Sequence, residues 1–206
     1  MRFGANKLLF PIAGKPMYRH GLDLLLSILE KKQNYELIAA TQYPEIYQDL
    51  MALRENQERL YPLLTKESRL GMSYTIREAI HYGQSLDLAR KKTTEPTGHS
   101  CTQSDGCIWN GGANYDTFMV ADQPYMSEKS LLAFMEAVMA SGKSVGCVTE
   151  HGEFQNPVMF RETLEPELLT LTGDQGGKRI FKNHLDDCCT YPLENQCRDI
   201  DCTEDL

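Results

Sequence analysis

Apolar residues along the chain fall into two alternating rhythms. Over Met17–Lys31, residues Met17, Leu24, Leu25, Ile28 and Leu29 recur near the helical period, which predicts an amphipathic helix. The run Tyr35-Glu36-Leu37-Ile38-Ala39-Ala40-Thr41 then reads as a short buried strand, closed by Pro44. The alternation continues with a helix near residues 45–53, a weaker strand at 60–64, and a helix over 75–90 whose inner face is Ile76, Ala79, Ile80 and Leu86. A strand over 117–121 runs directly into Asp122-Gln123-Pro124. Ser127 is an expected N-cap with Glu128 in the first turn, ahead of a helix burying Leu131, Leu132, Met135, Val138 and Met139. Strands at 144–149 and 157–160, helices near 161–169 and 175–183, and a last strand at 188–191 complete the pattern. Strands alternating with helices require crossover connections. They predict an α/β fold with a mainly parallel sheet covered on both faces.

One stretch breaks the rhythm. Residues 91–114 are rich in Thr, Ser, Gly, Asn and Cys without a period, and are expected to form a loop insertion. Nothing else divides the 206 residues, so a single domain over 1–206 is expected.

Composition and charge narrow the classes. A formal net charge of −8 argues against broad nucleic-acid binding, which needs a basic surface to release counterions. A small anionic ligand remains compatible, because a few local cations suffice to hold one. No apolar run approaches the roughly 18 residues of a membrane span, and no secretory pattern is present, so a cytoplasmic protein is expected. Seven cysteines, an odd number, favour free thiols over a disulfide framework. Cys101 and Cys107 with His99 do not match a common zinc spacing. The adjacent Cys188 and Cys189 should face opposite sides of a strand, one to the core and the other not.

Five clusters carry candidate chemistry. Arg2, Gly4 and Lys7, followed by Gly14-Lys15-Pro16, combine cations with glycines that permit close backbone approach, as a polyphosphate would require. Asp122, at a strand end, is placed where parallel sheets bind ligands and offers a hard oxygen to Mg²⁺. Asp199 and Asp201 alternate along an extended segment and can point to one side, so they could converge on a cation. Gly71, Ser73 and Arg77 lie at or near a helix start, where amides and hydroxyls are open to an anion or a base. Asn156-Pro157 and the Gly-rich run from Gly173 and Asp174 to Lys178 form the fifth group. Taken singly, each also fits a bland role: a basic loop, a strand-ending turn, an acidic tail, a helix cap.

Their order is more specific than any one of them. Arg2-Phe3-Gly4-Ala5-Asn6-Lys7, Gly14-Lys15-Pro16, Gly71-Met72-Ser73-Tyr74-Thr75-Ile76-Arg77, Ala121-Asp122-Gln123-Pro124, Asn156-Pro157-Val158-Met159-Phe160, Thr172-Gly173-Asp174-Gln175-Gly176-Gly177-Lys178 and Asp199-Ile200-Asp201-Cys202-Thr203-Glu204-Asp205-Leu206 follow one another along the chain. This series resembles the MobA-like nucleotidyltransferases, and within them the molybdenum cofactor cytidylyltransferases and the accessory proteins of molybdenum hydroxylases. The resemblance implies a Rossmann-like nucleotidyltransferase fold and a Mg²⁺-dependent transfer of CMP from CTP to molybdopterin, with pyrophosphate released. By motif position, Arg2, Gly4 and Lys7 would hold the triphosphate, with Arg2, Lys7 and Asp122 as the catalytic set. Gly71, Ser73 and Arg77 would surround the nucleotide, Asp122 and Asp201 would bind the metal, and Asn156, Pro157, Gly173, Asp174 and Lys178 would lie on the pterin side. Such families open with an apolar strand and a Gly-Ser loop ahead of the arginine. Here that arginine is residue 2, so the first strand is expected to be missing. Two other functions fit the same resemblance: a non-catalytic accessory protein that binds the cofactor or a molybdenum hydroxylase and helps its maturation, and a nucleotidyltransferase for another phosphorylated acceptor.

Overall fold

The computed structural model describes residues 6–93 and 114–202. Arg2, Gly4, His99, Cys101 and Cys107 lie outside the described residues, as do positions 203–206 and most of the expected insertion. The first three residues of that expected insertion, 91–93, instead belong to a helix.

The elements begin with a 3₁₀ turn at Lys7–Leu9 and a small hairpin, β1 (Pro11–Ile12) and β2 (Lys15–Pro16). Helix α1 spans Met17–Lys31, as the periodicity predicts, and β3 (Leu37–Thr41) follows. Pro44 does more than close that strand: it occupies the first turn of α2 (Pro44–Arg54), where its missing N–H has no cost. β4 (Leu60–Leu64) pairs in parallel with β3. α3 (Met72–Thr93) is longer at both ends than its apolar pattern suggests.

A four-stranded sheet forms from β5 (Tyr115–Phe118), β6 (Val145–Glu150), β7 (Glu153–Arg161) and β8 (Cys188–Pro192) in the order β5-β7-β6-β8. β6 and β8 are parallel, whereas β7 runs antiparallel to both β5 and β6. The sheet is therefore mixed rather than mainly parallel. The reason is local: only His151 and Gly152 separate β6 from β7, both at positive φ, and so short a connection can only reverse the chain. β5 also stops at Phe118, three residues before the expected strand end. Its last partner on β7 is Val158; the next position there, Pro157, has no N–H to extend the ladder. Asp122 thus sits in a turn four residues beyond the strand.

α4 (Glu128–Ser141) starts at Ser127, whose side-chain oxygen accepts from the Ser130 amide, and ends at Gly142 in the left-handed region. Two short helices, α5 (Glu165–Leu168) and α6 (Lys178–Asn183), complete the fold.

Alternation along the sheet strands sorts side chains into two cores. Val145, Cys147, Val158 and Phe160 meet Ile76 and Ile80 of α3 and Ile180 and Phe181 of α6 on one face. Val148 and Met159 meet Ile28 of α1 and Leu131, Phe134, Met135 and Val138 of α4 on the other. Burying a side chain such as Phe160 or Phe134, both fully enclosed, contributes roughly 2–3 kcal/mol. Because both faces are covered, Cys188 packs against the first core and Cys189 against the second, each half-buried, so neither faces solvent alone. A third core joins α1 and α2 to β3 and β4. Helices on both faces of an α/β sheet are the arrangement the sequence predicts. Among the described residues, no helix is long and apolar enough to cross a membrane.

Candidate active site

The strands that run in the same sense, β5, β6 and β8, end at one rim, and the chain continues from that rim into the charged segments. Asn6 caps the 3₁₀ turn there: its side-chain oxygen accepts from the Leu8 amide, which fixes the start of Lys7–Leu9. From this turn the Lys7 ammonium reaches across to two carboxylates from distant parts of the chain. It donates to Asp122 Oδ2 and to Asp201 Oδ1, both at 2.7 Å. Asp122 is the more enclosed partner, at 23% exposure against 78% for Asp201. Partial burial pulls the Lys7 ammonium down, but the hydrogen bonds to Asp122 and Asp201 and their charges outweigh it and hold Lys7 above its usual value.

Asp199 does not join Asp201 on that cation. Its Oδ1 accepts from Gln123 Nε2 at 2.8 Å instead. Burial raises the Asp199 carboxyl despite the Gln123 bond, and the charges of Asp122 and Asp201 add to the rise. The C-terminal segment is tied to the Asp122 turn a second time, because the Ile200 amide donates to the Asp122 carbonyl at 3.1 Å. Lys15, the other cation expected at the phosphates, is paired with Asp23 of α1 at 2.7 Å.

A second wall is built where α3 begins. Gly71 has φ +134, and a Cβ there would collide with the backbone of Gly173. The two loops touch at that point. Ser73 is fully buried, and both its amide and its hydroxyl donate to the Gly173 carbonyl, at 3.2 and 2.7 Å. Its hydroxyl is thereby committed to the fold. Asp174 accepts weakly from the Met72 amide at 3.4 Å, placing a carboxylate at the positive end of α3. The segments expected on the nucleotide side and on the pterin side are therefore parts of one wall. Arg77 lies over the Tyr74 ring, 4.6 Å from its centroid. Thr65, Ser68 and Thr75 form a hydroxyl chain beside this wall, with Thr75 donating to Ser68 at 2.8 Å.

Asn156 and Pro157 sit in β7 where the register between β6 and β7 shifts, so that Cys147 pairs with Val158 and Val148 with Gln155. The Asn156–Pro157 peptide is cis. Lys178 opens α6 and is exposed. An open cleft of about 370 Å³ lies at the sheet rim, lined by Tyr125, Glu150, His151, Asn195 and Arg198. The sequence patterns do not assign a role to these residues, nor to Gln123, because each is one polar residue in a loop or at a strand end whose role depends on what the fold brings to it.

A family model decides the affiliation: the MobA-like NTP transferase domain matches residues 1–188. The chain belongs to that family. Lys7, Asp122 and the Gly71 and Gly173 loops fall within the matched region, whereas Asp199 and Asp201 follow it. No curated protein matches the sequence. Among solved structures, Rv0371c from Mycobacterium tuberculosis is similar at 16% identity and TM-score 0.63, covering 99% of this chain and 88% of that one. A complex of the same mycobacterial protein with manganese matches at 17% identity and TM-score 0.60, over 97% of this chain and 88% of that one. The 4-diphosphocytidyl-2C-methyl-D-erythritol synthase of Anaerococcus prevotii gives 12% identity and TM-score 0.63, over 98% of this chain and 88% of that one. Molybdopterin-guanine dinucleotide biosynthesis protein A of Archaeoglobus fulgidus gives 12% and 0.58, over 99% of this chain and 88% of that one. At these identities the likeness establishes the Rossmann-like nucleotidyltransferase fold. Family membership makes the chain a nucleotidyltransferase-type protein whose partner class is a nucleoside triphosphate.

Proposed function

We propose that this MobA-like protein transfers CMP from CTP to the phosphate of molybdopterin and releases pyrophosphate. The observation that carries this reading is the convergence of Asp122 and Asp201 on one cation, the Lys7 ammonium, at 2.7 Å each.

Two carboxylate oxygens facing a single positive centre suit a divalent metal. Among the described residues no group of three or more His, Cys, Asp or Glu is arranged to hold one. A pair of carboxylates leaves the remaining positions to water and phosphate oxygens, which is how Mg²⁺ is commonly held. The residues present fit Mg²⁺, and the manganese complex of the mycobacterial protein supports a divalent ion at this fold. When bound, Mg²⁺ would neutralise the phosphates as charge develops on the departing pyrophosphate.

The chain's own residues supply the rest. Lys7, released from the carboxylates, would bind a phosphate oxygen, and Arg2 would add a second cation. The terminal phosphate oxygen of the acceptor attacks the α-phosphorus, and the bond to the β-phosphate breaks as pyrophosphate leaves. No protein nucleophile is needed, so alignment and charge are the main requirements. The loop holding Gly71 and the helix carrying Arg77 would border the nucleotide, and Asn156, Pro157 and Lys178 would border the pterin. The wall shared by Gly71, Ser73, Gly173 and Asp174 would keep the two sides in fixed relation. The similarity in fold to the 4-diphosphocytidyl-2C-methyl-D-erythritol synthase supports CTP as the donor.

The test is pyrophosphate release by the purified chain with Mg²⁺, molybdopterin and either CTP or GTP. Release with CTP that requires molybdopterin is expected. Release only with GTP, or only with a different phosphorylated acceptor, would overturn the substrate assignment.

A further inference from the structure

We infer that Gln123 is a positioning residue that seats Asp201 opposite Asp122. The inference rests on the proposed function insofar as it takes these two carboxylates as the metal pair.

Asp201 is the more exposed of the two carboxylates. Its side chain is 78% exposed, and it comes from a segment 79 positions beyond Asp122. The neighbouring Gln123, in contrast, is buried to 1% exposure. Its Nε2 donates to the Cys197 carbonyl and to Asp199 Oδ1, both at 2.8 Å. Together with the Ile200 amide bond to the Asp122 carbonyl, these contacts clamp residues 197–200 onto the turn that presents Asp122. Cys197 and Ile200 are buried at either end of the clamp. The chain direction at Asp201 is thereby set before any ligand arrives.

The amide also chooses between carboxylates. Asp199 and Asp201 are two residues apart in one segment and would otherwise compete for the same cation. One Gln123 N–H engages Asp199 while the other holds the Cys197 carbonyl, and it is Asp201 that meets Lys7. Packing alone does not explain a glutamine here. Its Oε1 is buried without a hydrogen-bond partner, a burden that a methionine of similar shape would avoid. What the amide adds is its two N–H donors. Supporting groups of this kind typically set metal affinity by orienting the ligands rather than by touching the metal.

The test compares Gln123→Met, which keeps the volume and loses both donors, with Gln123→Glu, which sets a carboxylate against Asp199. In the full metal-free chain, hydrogen exchange at the Ile200 amide should speed up about tenfold in both variants. The Val148 amide, at the centre of the sheet, should be unchanged and serves as the reference for global opening. Electron paramagnetic resonance titration with Mn²⁺ in the presence of CTP should show affinity weakened about 10- to 100-fold. Binding of CTP without metal should stay within about twofold of the parent. In an Asp201→Asn background, Gln123→Met should cause no further loss of Mn²⁺ affinity, because both act through one carboxylate.

Ile200 protection equal to the parent in both variants would overturn the inference. So would a loss of Mn²⁺ affinity that adds in full to that of Asp201→Asn. If the parent chain binds no Mn²⁺ with CTP, the metal reading falls, while the exchange experiment still decides whether Gln123 positions the segment.

Discussion

Lys7 and Asp122 lie 115 positions apart in sequence, yet the ammonium of one donates to the carboxylate of the other at 2.7 Å. Asp201 closes on the same ammonium from the far end of the chain. One lysine thus stands where two carboxylates require a cation. A divalent ion and the ammonium cannot share that position without strong repulsion.

Lys7→Met should therefore act in opposite directions on two measurements. Nucleotidyl transfer should fall by roughly 100-fold or more, because the cation proposed to bind the phosphates is lost. Mn²⁺ binding in the absence of nucleotide, followed by electron paramagnetic resonance, should become tighter than in the parent. Unchanged Mn²⁺ affinity would mean that the lysine does not compete for the carboxylates.

Asp122→Asn should lower metal-dependent turnover by roughly 1,000-fold, since a metal's charge stabilisation is worth several kcal/mol. The fold should survive. The partly exposed ion pair with Lys7 contributes only about 1 kcal/mol or less, and Asp201 remains to hold the ammonium. Turnover within a few fold of the parent would refute the assignment of Asp122. Asp201→Asn, at a more exposed site, should cost less than Asp122→Asn in the same assay.

Gly71→Ala tests the shared wall. The substitution forces alanine to φ +134 and drives its methyl into the backbone of Gly173. A loss of about 2–4 kcal/mol in urea unfolding is expected, combining an unfavourable backbone conformation with overpacking against atoms that cannot rotate away. CTP affinity should fall with it, because the start of α3 must shift.

Asp116 gives a pH dependence at the end of β5 remote from the carboxylate pair. Burial raises its carboxyl to about 7, and the charges of Glu165, Glu162 and Asp87 add to the rise. The folded protein therefore prefers Asp116 protonated, whereas the unfolded chain ionises it near 3.8. Stability from this group is fully present below pH 3.8, declines as pH rises through that window, and is lost above about 7. Asp116→Asn should remove the decline and stabilise the protein at pH 8 by about 1–3 kcal/mol, a tenfold change in a protonation equilibrium being worth about 1.4 kcal/mol. Unfolding curves at pH 5 and pH 8 for both proteins measure the difference. Equal slopes with pH would show that Asp116 is not the group responsible.

Much of the fold is legible in the apolar pattern. The helix over Met17–Lys31 and the strand over Leu60–Leu64 fall where the apolar periods put them. The same holds for Ser127 as the cap of α4. Each of these depends on contacts within a few residues or on one apolar face. The reversal of β7 is not legible from periodicity, because a fully buried strand looks alike in either direction; a two-residue turn decides it. The early end of β5 depends on Pro157 in a different strand.

The candidate site divides along the same line. Residue types and their order indicate a cation near a phosphate-binding start, an aspartate beyond a strand, and an acidic pair near the end. Those features are local, since charge and backbone freedom belong to individual residues. Which acidic residue faces which cation is a matter of long-range packing. Asp199 and Asp201 are chemically identical and two positions apart, yet in the fold one meets the buried Gln123 amide and the other meets Lys7. Likewise, the Ser73 hydroxyl is engaged by a loop 100 residues away rather than turned outward. The order of residues alone specifies the inventory of charges and the elements that carry them. Their pairing is left to the packed fold, because it depends on hydrogen bonds between segments that meet only when the two sheet faces are buried.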